Sequence, residues 1–594
     1  MHTLQRCRAL VIMFGAVALS ACVDSSTGPP PGFSIDELTE SAQAPEGPVP
    51  NARFLPSVAA VSARHAFSGK LTLVGAEMQT DPAELRKRHI LRRDIKLFPD
   101  VTVSLVADGE VLIPLDRDLI LSGTLDEGGS YWDFLVSPGR VWSEPDEEEW
   151  SRAAFPFALA SSVENETYNG VATFAFNETA ASAVRYQIVR QTTGYFLVDR
   201  LRAWGQLDAS YEPGRFEAAA EVIGWYRREV ADRLPVRMWQ ELEEATGLDL
   251  SDFDDGIDEA HRIVSALVYD GTLYVRGCDT DLGPLPFCSE HRFGIWSVTK
   301  STGNGLAMLR LAQKYGPEVF DERIADHLEV TASHDGWEQT TFGQVLNMAT
   351  GVGEGSTNIT PNNPNDGYLV GYDSWYTAMS RVARISEVFK APDHPWGPGE
   401  VMRYRDQDAF VLGAAMDAYL KSREGPEADM WRFLMEEVYA PIGIQHAPTN
   451  RLLEADGRLS LPQMSQGSYP TLDDLARIGQ LLHNGGRSTG QQILHEGKLA
   501  EALYRSPGSH GIEYGEPGPD GSRSYSMSFW HQRYRGEGGC VVDVASMSGW
   551  GGHRVELYPN GLVAIRIANE PVDAAGSHSR GMAAVADRLA PFCP

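Results

Sequence analysis

The alternation of apolar and polar positions along the chain changes character several times, and each change predicts a different kind of segment. Residues 9–19 form an unbroken apolar run behind Arg6 and Arg8, too short to span a bilayer and suited to a signal peptide over 1–21. Residues 22–55 are rich in Pro, Gly, Ser and Glu, a composition that predicts a flexible tether. From 56 to 212 the period becomes two. Residues 101–106 and 111–113 flank Asp108-Gly109, and 184–189 and 195–198 flank Thr193-Gly194, so a β-rich accessory domain with two such hairpins is predicted. Phe216, Ala219, Ala220, Ile223 and Tyr226 then keep helical spacing and predict a helical connector over 213–258. In the last region, 259–594, a hairpin turns at Asp270-Gly271 and a second one turns at Asn560-Gly561. Between them 297–315, 341–348, 409–420 and 471–482 read as helices, and a last helix covers 581–589. Strands at both ends with helices between predict one antiparallel sheet closed by the two ends of the region, carrying an inserted helical part. The fold class is α+β.

A chain of 594 residues is too long for one core, which agrees with this division. Apolar residues at 42% and charged residues at 22% are ordinary for a folded protein, and the net charge of −30 excludes nucleic acid as a partner. Leu19-Ser20-Ala21-Cys22 resembles the lipobox of bacterial lipoproteins. The resemblance implies cleavage before Cys22, a lipid anchor on that cysteine and a place in the bacterial cell envelope, in the outer membrane or facing the periplasm if the host is Gram-negative. The alternative is an ordinary signal peptide. Four cysteines remain after Cys7 and Cys22, an even number in an exported chain. They allow three pairings, of which the short loop around Gly283 and two prolines favours Cys278–Cys288, with Cys540–Cys593 as the other bridge.

Several motifs fail on inspection. Asp252-Phe253-Asp254-Asp255-Gly256 suggests a calcium loop, but the glycine is one place early and the twelfth position is Ile263. There is no Gly-x-Ser-x-Gly elbow, and His495-Glu496 lacks the second histidine of a zinc protease. Gly351-x-Gly353-x-Gly355 follows a helix end, the wrong context for a dinucleotide. No metal or cofactor is expected.

Ser297-Val298-Thr299-Lys300 is the sharpest local signal. At a helix start, residues three apart share one face, so hydroxyl and amine can meet. A serine hydroxyl becomes a nucleophile when a neighbouring base accepts its proton. Lysine is scarce in this chain, and Lys300 is the only one with a serine three places before it.

This segment resembles the nucleophile motif of the β-lactamase, D,D-peptidase and esterase superfamily, especially its class C-like branch. Further landmarks follow in the same order: the helix end Leu346 to Gly351, the turn Tyr439-Ala440-Pro441-Ile442-Gly443, and the run from Gly467 through Asp474 to Gly486. Tyr404-Arg405-Asp406, after Trp396-Gly397-Pro398-Gly399, resembles the second motif, Tyr-x-Asn. Met547-Ser548-Gly549, before Trp550, stands where the third motif has Lys or His, then Thr or Ser, then Gly. The resemblance implies a hydrolase over 259–594 with Ser297 as nucleophile and Lys300 and Tyr404 jointly as its base. It also implies an oxyanion hole from the backbone N–H groups of Ser297 and Trp550, with Asp406, Ser548 and Gly549 near the substrate. Two positions depart from the pattern. Asp406 replaces asparagine, and Met547 replaces the cationic or imidazole residue, for which His553 is a candidate stand-in on the same strand. With Met547 and Trp550 lining the site, an uncharged substrate is expected.

The function expected is cleavage of a small-molecule or peptide-like ester or amide through an acyl-serine. The alternatives are a surface binding protein that kept the fold without turnover, its β-rich domain doing the recognition, or a D,D-peptidase or β-lactamase.

Overall fold

The computed structural model describes residues 32–39, 46–86, 94–122, 129–161, 163–197, 199–353, 371–378, 380–454, 456–518, 521–570 and 579–593. The signal segment, Cys22 and Val198 lie outside the described residues. No helix among the described residues is long and apolar enough to cross a membrane.

The segment expected as a tether is docked wherever it is described. Phe33, Leu38 and Phe54 are buried against Val171 and Ala175. Asn51 is fully enclosed and hydrogen-bonds Thr280, Gly283 and Gln187. A few well-placed aromatic residues outweigh a composition that averages as polar.

Eleven antiparallel strands between Ser68 and Pro213 form one sheet. Its centre is the pair Ser151–Ala160 and Thr167–Phe176, buried at every position, which explains their nearly continuous apolar sequence. The predicted hairpin at Asp108-Gly109 forms between Val101–Asp108 and Val111–Pro114. The one expected at Thr193-Gly194 does not. Strand Val184–Gln191 pairs instead with Arg202–Leu207, and 193–196 leave the sheet as a loop. Their backbone finds other acceptors: the N–H groups of Tyr195 and Phe196 donate to the Glu164 carboxylate at 2.6 and 2.8 Å.

Helix Ala219–Asp232 leads on, but the connector is not helical throughout. Strand Val236–Met238 adds in parallel to the edge of a second sheet before helix Trp239–Thr246. The acidic run that fails as a calcium loop is a joint, with Asp254 paired to Arg262 at 2.9 Å and Phe253 buried beside Trp239.

The second sheet has nine strands. Its first hairpin, Arg262–Tyr269 with Thr272–Gly277, pairs with Val563–Ala568 from the other end of the region, in the register Val268 opposite Val563. His553–Leu557, Val541–Gly549, Phe529–Arg535, Gly521–Ser526 and Ile512–Gly518 follow outward. The helical part inserted between these ends is organised around Asp406–Glu424, which is buried along most of its length. The chain is thus α+β, a β-rich N-terminal part followed by a mixed sheet-and-helix unit. Cys278 is bonded to Cys288 and Cys540 to Cys593.

Candidate active site

The chain reaches Ser297 through a strained residue. Trp296 has φ of 49°, a left-handed conformation rarely adopted by a bulky side chain. It is held at two points. Its N–H donates to Asn165 Oδ1 at 2.6 Å, and its indole Nε1–H donates to the Thr193 carbonyl at 2.9 Å. Beyond this turn the chain enters a helix whose π-helical stretch Lys300–Gly305 runs into the α-helix Leu306–Tyr315. Ser297 therefore stands at the helix entrance, half-buried, with Lys300 one turn on and enclosed.

Lys300 Nζ donates to Ser297 Oγ at 2.7 Å, to the Ser465 carbonyl at 2.8 Å and to the Asp406 carboxylate. An ammonium has three donors, and here each has an acceptor. Because Lys300 donates to Oγ, the hydroxyl's own proton is directed to another group. Tyr404 lines the same cleft as Ser297. Its ring lies 4.9 Å from Lys300 Nζ, stacks on Trp530 at 5.6 Å and meets the edge of Tyr525. Tyr372 accepts the Asp406 backbone N–H at 3.1 Å. Burial, reinforced by the negative charge of Asp406, pushes the phenols of Tyr372 and Tyr376 well above their ordinary range, so both act as neutral walls.

Ser297, Tyr404 and Asp406 line a cleft of about 350 Å³, with Ser548 and Gly549 from the third motif and Trp550 after it. Gly549 is dictated by the crossing: a Cβ there would lie 2.3 Å from the Ile295 carbonyl oxygen, on the segment that leads to Ser297. Met547 is not part of the lining. Successive side chains of a strand point to opposite faces, so Ser548 looks into the cleft while Met547 is fully buried in the main core. The expectation of a Met547-lined site is corrected accordingly. His553 is no stand-in either. It sits on the next strand, not the same one, and is completely enclosed, with its ring nitrogen Nδ1 3.3 Å from the Ala568 N–H. Burial, with the nearby Arg566, pushes its imidazole down to about 3. The cations that do reach the cleft are Arg554, directly across from Ser548, and Arg523.

Sequence reading missed Tyr195, Tyr372, Tyr376, Tyr514 and Trp530, all in the lining, and the Ser465 carbonyl on Lys300. The cluster Tyr372, Trp375 and Tyr376 was an available signal. Nothing local marks Tyr195. Among the described residues no group of His, Cys, Asp and Glu could hold a metal ion.

A serine at a helix entrance, a buried lysine one turn later and a tyrosine ring beside that lysine, facing the end of a strand, define the class of site. Residues 261–583 match the Beta-lactamase family, more than half of the chain, and the protein belongs to that family. Solved structures similar to it include a penicillin-binding protein homologue from Caulobacter crescentus, with 17% identity over 57% of this chain and 95% of that one and a TM-score of 0.41. A D-stereospecific amidohydrolase from Streptomyces sp. gives 14% identity over 58% of this chain and 99% of that one, TM-score 0.38. A family VIII carboxylesterase gives 15% over 61% and 97%, TM-score 0.40. No curated protein matches the sequence.

Proposed function

We propose that this chain is a serine-dependent hydrolase that cleaves an ester or amide through an acyl-Ser297 intermediate. The observation that carries the reading is the 2.7 Å hydrogen bond from Lys300 Nζ to Ser297 Oγ at the wall of an open cleft. In the first half-reaction Oγ bonds to the substrate carbonyl carbon. Its proton passes to the Tyr404–Lys300 pair, which acts as one proton-transfer unit. The backbone N–H groups of Ser297 and Trp550 receive the developing oxyanion, at about 3–4 kcal/mol per donor. The C–O or C–N bond then breaks and the proton goes to the departing alcohol or amine. Water hydrolyses the acyl-serine in the second half, releasing the acid and restoring the hydroxyl.

The lining is chiefly aromatic, which favours an uncharged aryl or alkyl ester. A second reading, a substrate with a carboxylate beside the scissile bond such as a β-lactam, is favoured by Arg554 facing the cleft beside Ser548. Side-by-side kcat/KM values on a p-nitrophenyl ester and a chromogenic cephalosporin separate the two, and the ester is expected to be faster. The primary test is labelling with a fluorophosphonate. The adduct is expected on Ser297, and Ser297→Ala should remove nearly all turnover. Wild-type rates in that variant, with its fold intact by circular dichroism, would end the proposal.

The envelope location belongs to the same proposal and rests on Leu19-Ser20-Ala21-Cys22. Intact mass of the native protein should show a chain beginning at lipidated Cys22. An unmodified or uncleaved N-terminus would refute it.

A further inference from the structure

We infer that the N-terminal sheet supplies a wall of the active site, and that Tyr195 is a specificity-determining residue that holds a flat apolar group of the substrate. The inference deepens the hydrolase reading and rests on it for the chemistry, though not for the binding.

Two loops of the N-terminal sheet meet the nucleophile segment. The first joins the two central strands, Ser151–Ala160 and Thr167–Phe176. Its Asn165 takes the Trp296 N–H, and Thr167 Oγ1 takes the Gly294 N–H at 3.2 Å. Contact is so close that a Cβ on Gly294 would fall 1.4 Å from the Asn165 carbonyl oxygen, so only glycine fits. The second loop, 193–196, is the one that leaves the sheet. Thr193 accepts from the Trp296 indole and donates its hydroxyl to the Glu570 carbonyl at 2.9 Å, gripping the region beyond the third motif. A sheet that merely recognised a separate ligand would have no reason to reach both sides of the nucleophile.

Tyr195 is presented by a rigid support. Glu164, with no exposed surface, receives the N–H groups of Tyr195 and Phe196 on its two oxygens and the Tyr131 hydroxyl at 2.9 Å. A buried carboxylate with several donors holds backbone far more firmly than loop packing does. The Tyr195 ring then stands half-buried in the lining of the cleft that contains Ser297. It stacks on Tyr376 at 5.7 Å and 27° and meets Trp550 at 6.3 Å and 62°. Trp550 follows the third motif directly, so this aromatic corner lies in the same cleft as Ser548, Gly549 and Ser297. Such a corner matches a phenyl-sized group in the acyl or leaving part of an ester, by offset or edge contact.

The experiment compares ethyl acetate, ethyl phenylacetate and benzyl acetate as substrates of the full chain, with Tyr195→Ala and Tyr195→Phe. In Tyr195→Ala, kcat/KM for one of the two phenyl esters should fall about tenfold, while ethyl acetate changes by less than about threefold. Tyr195→Phe should restore the phenyl preference, since the ring does the work. A second arm needs no turnover. In the Ser297→Ala background, quenching of tryptophan fluorescence by benzyl acetate should require about fivefold more ligand once Tyr195 becomes Ala. Equal loss on all three esters, or unchanged selectivity together with unchanged benzyl acetate binding, would overturn the inference. If no ester is hydrolysed, the hydrolase reading fails while the binding arm still decides the role of Tyr195.

Discussion

Lys300 and Asp406 form an ion pair inside the protein, the lysine side chain 1% and the aspartate side chain 12% exposed. Asp406 stands at the first turn of the buried helix Asp406–Glu424, and Lys300 stands on the helix that Ser297 enters. The carboxylate that departs from the Tyr-x-Asn pattern is therefore the counter-ion of Lys300, and it joins the two helices at the cleft.

Breaking that pair from one side leaves the other charge buried and uncompensated. Asp406→Leu is expected to destabilise the fold by about 3–5 kcal/mol, whereas adding Lys300→Met should recover most of that loss. Urea unfolding of Asp406→Leu, Lys300→Met and the double variant closes the cycle. Additive losses would show that the charges do not interact.

The parity of strand Val541–Gly549 separates the effects of two adjacent residues. Met547→Lys places an ammonium in the core and should cost more than about 3 kcal/mol of stability. Ser548→Ala should leave stability within about 1 kcal/mol and lower kcat/KM about tenfold. Thermal unfolding and ester kinetics on both proteins check this. A stable Met547→Lys with altered turnover would mean that residue 547 faces the cleft.

Unequal loop lengths rank the two disulfides. Cys278–Cys288 spans 10 residues and Cys540–Cys593 spans 53. Chain entropy assigns about 3 and about 4 kcal/mol to loops of these lengths, so Cys540→Ser with Cys593→Ser should be the more damaging pair of substitutions. Denaturant midpoints of both double variants decide the order.

His531 makes the fold sensitive to acid. Its ring is buried, stacks on Tyr504 at 3.6 Å and donates Nε2–H to the Ala502 carbonyl at 2.8 Å. Burial pushes the imidazole down to about 4 from 6.5. Between those values the unfolded chain binds a proton that the folded one refuses, so stability falls as pH drops through that window. At pH 5 this one residue costs about 2 kcal/mol relative to pH 7. His531→Gln should shrink the loss between pH 7 and pH 5 by that amount in urea titrations. An unchanged slope would refute the assignment.

Features that depend on near neighbours can be read from the order of residues alone. The three-residue spacing of Ser297 and Lys300 places them on one helical face, and the period-two runs with Asp-Gly and Asn-Gly turns specify the hairpins at 108–109, 270–271 and 560–561. Adjacent residues set these periods, so they can be read without knowing what packs against them. Tertiary structure decided what depends on distant partners. Whether residue 547 or 548 faces the cleft is a matter of strand parity, and a shift of one residue exchanges the two faces. The run at 195–198 has the sequence pattern of a strand, yet the N–H groups of Tyr195 and Phe196 bind Glu164 and Tyr195 enters the cleft, because a buried carboxylate offers those N–H groups better acceptors than a sheet edge would. Lys300 and Asp406 are 106 positions apart, and only packing of the two helices brings their opposite charges together.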